Sequence, residues 1–136
     1  MSTNWGDRFV IAMRARLVTA SGLPTIRCWA NTSQMPPADQ ASVDDAVVSM
    51  DTKPMEVGPD AWKRTDAVYR VVVSVPINSD IHRLQALAAA IEAAFWPIGI
   101  EVDGNPVEVH RVHWTKHEGD ALYSMMVYIV AQFDHP

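Results

Sequence analysis

His110, His113, His117 and Glu118 form the densest group of ligating side chains in the chain. Imidazole nitrogens bind zinc or nickel when several of them converge. Side chains alternate along a regular strand, so His110 and His113, three residues apart, point to opposite faces. His113 and His117 converge only if the chain turns between them, and Glu118 then offers a third ligand. Two acid pairs, Asp44 with Asp45 and Glu118 with Asp120, have the proximity for acid and base work, but neighbouring acids in polar segments keep ordinary pKa values. The single cysteine, Cys28, has no partner for an internal disulfide, and its apolar-flanked run reads as a buried thiol in a reducing compartment. No glycine-rich phosphate loop, Gly-x-Ser-x-Gly elbow or Cys-x-x-Cys pair occurs. With no nucleophile, acid and base assembled, the expectation is a protein that is not an enzyme and needs no cofactor or metal. The alternative left open is a cytoplasmic α+β domain that binds a small ligand or metal through the His110 to His117 region.

The elements that must carry these residues follow from periodicity. Phe9, Val10, Met13, Leu17 and Ala20 share one broad face of a helix predicted over 7–20, which Gly22 and Pro24 stop. Residues 25–29 are β-branched and aromatic enough for a short strand, and the Asn, Ser and Pro36-Pro37 content of 31–40 forbids regular structure. A second strand is predicted over 42–50, with Asp44 and Asp45 suited to an exposed edge. Residues 51–66, with Pro54, Gly58 and Pro59, read as a long loop, and its Trp62 beside Lys63 and Arg64 suits a partner surface. Alternation of Tyr69, Val71, Val73 and Val75 predicts a strand over 67–77 with one solvated face.

Ser79 or Asp80 caps a second helix that ends at Trp96, because Pro97 pushes the preceding residue out of helical geometry. Its Ala86, Ala89, Ala90 and Ala93 side is either a surface built for helix propensity or a second packed surface. A turn at residues 102–105 leads to strands over 107–115 and 121–133. The last is apolar on both faces and is expected to be central and covered on both sides. The order is α-β-β-β-α-β-β: a single α+β domain over 1–136, with two helices on a mainly antiparallel sheet of about five strands.

Composition narrows the class. The chain has 136 residues, of which 20% are charged and 49% hydrophobic, enough to bury one core without staples. The net charge of -5 comes without any Lys/Arg cluster, which disfavours tight nucleic-acid binding. Neither a secretory leader pattern nor a long apolar run is seen, so no membrane partner is expected.

A helix, then Leu23-Pro24-Thr25, a strand ending in Trp29-Ala30-Asn31, the Pro36-Pro37 corner, a strand pair closing on Val73-Ser74-Val75-Pro76, one helix and a final strand pair follow each other over nearly the whole chain. That order resembles the tail-terminator-like proteins of long-tailed phages and prophages. Two places depart from the family pattern, the polar Thr32-Ser33-Gln34 spacer and the long loop at 51–66. The resemblance implies a structural protein of the virion tail, assembled in the bacterial host cytoplasm. It implies a homo-oligomeric ring, a hexamer, that ends tail-tube growth and presents the head-joining surface. Its partners would be the major tail-tube protein and a head-completion or connector protein, with DNA passing the lumen without specific binding. A heterologous ring needs two different complementary patches on each copy. Trp29, Asn31, Pro36 and Pro37 form one candidate patch, and Met55, Trp62, Lys63 and Arg64 the other, because prolines and large aromatics anchor interfaces at low entropic cost.

Overall fold

The computed structural model describes residues 4–29, 37, 39–55, 62–77, 79–96, 99–119 and 122–136. Helix α1 (Trp5–Leu17) starts two residues earlier than its periodicity suggests, because Asn4 caps it by accepting from the Asp7 N–H at 3.1 Å. Phe9, Met13 and Leu17, four residues apart, put one fully buried stripe on the core. Helix α2 (Ile81–Phe95) is capped by Asp80, whose carboxylate accepts from the His82 N–H at 2.9 Å. It buries Leu84, Leu87, Ala88, Ile91 and Phe95, while Ala86, Ala89 and Ala93 face solvent.

Six strands form one sheet: β1 (Ile26–Trp29), β2 (Ser42–Pro54), β3 (Lys63–Pro76), β4 (Ile100–Val102), β5 (Asn105–Glu118) and β6 (Leu122–His135), in the spatial order β1-β2-β3-β6-β5-β4. The architecture is α+β, as the sequence suggests, with two departures. The described residues form six strands and not about five, and β1 runs parallel to β2, so the sheet is mixed. The additional strand is β4, too short for periodicity to reveal. It joins β5 through a tight turn in which Asp103 (φ 49°) and Gly104 (φ 81°) both take left-handed backbone, the geometry that suits the twist of a two-residue hairpin.

The strand pair β2–β3 is also longer than expected. Half of the loop predicted over 51–66 is strand: pairing continues from Asp51↔Asp66 through Thr52↔Thr65 and Lys53↔Arg64 to Pro54↔Lys63. Pro54 is tolerated there because it closes the strand.

Both helices lie on one face of the sheet. That face buries Val43, Tyr69, Val71, Val73, Val127, Ile129 and Phe133 with Phe9, Met13 and Leu17, and Phe9 stacks on Phe133 with ring centroids 5.5 Å apart. On the opposite face Val68, Val72, Met126, Tyr128 and Val130 are half-buried, and no element of the described residues packs over them. Strand β6 is central, between β3 and β5, but covered by helices on one side only.

Candidate functional site

The candidate interface residues fall at different parts of the sheet. Met55, Trp62, Lys63 and Arg64 gather at the far end of the β2–β3 hairpin, where the Met55 N–H donates to the Trp62 carbonyl at 3.1 Å. The end of β6 and the β4–β5 turn arrive at the same rim. Trp62 and Arg64 line a groove of about 300 Å³ there, with Asn105, Pro106, Gln132 and Asp134. Arg64 grips Asp134 with two hydrogen bonds, Nε at 2.8 Å and Nη2 at 3.2 Å, and this guanidinium holds the Asp134 carboxyl below the usual carboxylate range.

A relay through buried Thr65 and His135 fixes this rim to the core. Thr52 Oγ1 bonds Thr65 Oγ1 at 2.8 Å, and Thr65 Oγ1 bonds His135 Nε2 at 2.8 Å. The His135 ring, 2% exposed, stacks on Trp5 at 4.7 Å. The hairpin is therefore held in register across its second half by side chains as well as by its ladder. Sequence reading missed the relay, since its members lie as far as 70 residues apart.

Trp29 lies elsewhere. It is half-buried at the end of β1, with the Arg14 guanidinium 5.1 Å from its ring centroid, and packs against the edge of the core. Pro37 is half-buried, and Asn31 and Pro36 lie outside the described residues. Trp29 of the first expected patch is thus beside α1, away from the hairpin rim that carries the second.

The acidic pair at the start of β2 is not the exposed edge that the sequence suggests. Asp45 is 1% exposed, because Val43, Asp45 and Val47 share the helix side of the strand. It accepts from Arg14 Nε at 2.6 Å, Arg14 Nη2 at 2.9 Å and the Tyr69 hydroxyl at 2.6 Å. Burial first, and then the bond to Asp45, push the Tyr69 hydroxyl far above its ordinary pKa, so it stays protonated as a donor. A buried carboxylate with three donors of this kind ties α1 to β2 and β3. Asp44, on the other face, has its pKa raised by burial while Arg70 works against the rise.

The histidines do not converge. Strand β5 runs unbroken from Asn105 to Glu118, so His113 and His117 lie along one face with His113 opposite Tyr128 and His117 opposite Ser124, while Glu118 points to the other face. His113 stacks on Tyr128 at 5.0 Å, and exposed His110 sits in a bulge, 3.9 Å from Glu108. Among the described residues no group of three or more ligating side chains is placed to hold a metal ion. No helix of the described residues is long and apolar enough to cross a membrane.

No protein-family model matches the chain, and no curated protein does. Solved structures do. A chain from the virion of a native gene transfer agent particle superposes with TM-score 0.66 over 98% of this chain and 100% of its own length, at 12% identity. The fold is one that occurs in a virion. A second solved chain, whose description gives no activity, matches with TM-score 0.68 at 21% identity, covering 96% of both chains. Both matches run over nearly the whole of each chain. At these identities the likeness is one of fold.

Proposed function

We propose that this chain is a structural protein of a phage tail or phage-like particle, not a catalyst, and that copies of it form a ring at the head-proximal end of the tail tube. The ring, read as a hexamer, stops tube growth and offers the surface to which a head-completion or connector protein binds. The observation that carries this reading is the end-to-end fold likeness to a chain of a gene transfer agent virion. It is supported by the order of sequence elements that resembles the tail-terminator-like family.

The structure is physically suited to such a part. Three ion pairs brace it: Arg14 with Asp45, Arg64 with Asp134 and Arg8 with Asp103 hold α1, the hairpin rim and the β4–β5 turn in place. The net charge of -5 gives DNA little to bind as it passes, since phosphate affinity comes from Lys and Arg. The rim around Trp62 is the surface assigned to contact with the tube or the next copy.

The test is reconstitution. Purified protein added to growing tail tubes should give tubes of defined length with a cap of density at one end in negative-stain electron micrographs. Tubes that grow to the same lengths with and without it, and bear no cap, would remove the terminator role.

A further inference from the structure

Two long strand edges of this sheet are open. Strand β1 pairs with β2 only along Ser42 to Asp45, and β4 pairs with β5 only along Asn105 to Val107. Among the described residues nothing pairs with the outer edge of β2 from Ala46 to Pro54, or with that of β5 from Glu108 to Glu118. These edges also carry large apolar side chains that solvent reaches: Val48 (45% exposed) and Met50 (38%) on β2, and Trp114 (38%) on β5. Long open edges with apolar side chains are templates for strand addition; Lys53 and Pro54, which blunt such pairing, stand at the end of the β2 edge, and Lys116 stands near the end of the β5 edge.

Resting on the ring reading above, we infer that neighbouring copies join by pairing the free edge of β2 in one copy with the free edge of β5 in the next, antiparallel, so that the ring closes as one continuous sheet. Direction fits. Each of the pairs β2–β3, β3–β6 and β6–β5 is antiparallel, so β2 and β5 run opposite ways, and rotation about an axis alongside the strands brings them together antiparallel. Sidedness fits as well. The same rotation keeps the helix-covered face on one side of the closed sheet, so Met50, paired with Ala67, and Trp114, paired with Val127, stand on one face.

The position of the edges sets the smallest stagger. Met50 is level with Ala131 of β6, through Ala67, and Trp114 is level with Val127, four residues lower on the same strand. Only an even offset keeps the helix faces together. An offset of two would run the last three residues of the neighbour's β5 into β1, whereas four overlaps it at one position, Glu118 at Trp29, so that pairing ends at His117 and Met50 stands opposite Trp114. Ser49 then faces Thr115, and Asp51 faces His113, whose buried Nδ1 has no partner among the described residues. With β1 and β4 sharing lanes with the neighbouring copies, each copy adds four strands to the circumference. A rise of about 13 Å along the strand over about 19 Å across four strands gives a tilt of about 35°, within the range that closed barrels adopt. In a hexamer the closed sheet would be about 45 Å across, far wider than a barrel filled by its own side chains. A stagger was not imposed on this geometry; it follows from the free edges lying at diagonally opposite corners.

Two sets of variants test the seam. Met50→Lys and Trp114→Lys place lysine on each edge in turn, and each should remain folded by circular dichroism but sediment as a monomer where the wild type sediments as a ring. In a Cys28→Ala background, Ser49→Cys with Thr115→Cys should cross-link the assembled ring under copper phenanthroline into a ladder ending at the ring size on a non-reducing gel, while either cysteine alone should not. The pair Asp51→Cys with Thr115→Cys reports an offset of six and would support the same seam with a steeper tilt. Rings that persist in both lysine variants and cross-link with neither pair overturn the seam but leave the ring standing. If a lysine variant fails to fold, cross-linking decides. A wild type that forms no ring, free or on tubes, overturns both.

Discussion

Replacing Asp45 with Asn should cost about 3 kcal/mol of folding stability, the lower end of what breaking a buried ion pair costs, since one-fifth of the Arg14 side chain reaches solvent. The isosteric amide keeps the volume but gives up the charge that draws both Arg14 donors and the Tyr69 hydroxyl. At this chain length the loss corresponds to about 10 °C in Tm. Tyr69→Phe alone should cost about 2 kcal/mol, because it removes one hydrogen bond to a buried carboxylate while Arg14 keeps its hold. The two changes touch one oxygen, so they should not add: Tyr69→Phe in the Asp45→Asn background should cost about 1 kcal/mol less than in the wild type. Urea unfolding of the four proteins, followed by fluorescence, measures the cycle. A cost below about 1 kcal/mol for Asp45→Asn, or strict additivity, would show that the cluster does not bind α1 to the sheet as its distances indicate.

Trp62→Ala, and the double change Lys63→Glu with Arg64→Glu, should leave Tm within a few degrees of the wild type, because this rim is solvated and its Arg64–Asp134 pair is exposed; both should abolish capping of tail tubes in micrographs. Added zinc or nickel should leave thermal stability unchanged, since β5 holds His113, His117 and Glu118 apart, and a ligand of the native state alone would raise it. Asp44→Asn should stabilise the protein at neutral pH. Burial raises the folded-state pKa of Asp44, so its carboxylate form costs stability above that raised pKa. The cost fades as pH falls to the ordinary carboxylate value, and the variant and wild type should therefore converge in acid in a pH series of urea midpoints. Gly104→Ala should lower stability by about 1 kcal/mol because φ of 81° strains a residue with a Cβ, although the space around it is open.

The elements that rest on local chemistry were legible. Asp80 caps α2, which stops at Phe95, and the alternation from Tyr69 to Val75 places β3 with the right side inward. The misreadings share a cause, which is that a distant partner changed what a local pattern means. Asp45 looks like an edge acid until Arg14, 31 residues earlier, meets it inside. Residues 51–54 and 63–66 look like loop because they are polar and contain Pro54, yet their ladder to each other, and Thr65's bond to His135, make them strand. The parallel pairing of β1 is set by a crossover that no periodicity in Ile26 to Trp29 records. Of the proposed interface, the Trp62 rim was suggested by its aromatic among charges. The open edges were invisible, because whether a strand has a neighbour is a property of topology and not of its residues.

Strand β6 comes last among the strands in chain order but sits in the middle of the sheet. Synthesis therefore delivers the two halves of the sheet, β1-β2-β3 and β4-β5, before the strand that joins them. With β3 complete at Pro76 and β6 at His135, the first half waits on the order of 3–12 s at ordinary translation speeds with its inner edge unpaired. In that interval β3 offers its free edge, Tyr69 and Val71 included, to any other nascent chain. Expression yield should accordingly depend on temperature and on chaperone supply more steeply than the stability of the finished fold would suggest, and misassembly should begin on the ribosome.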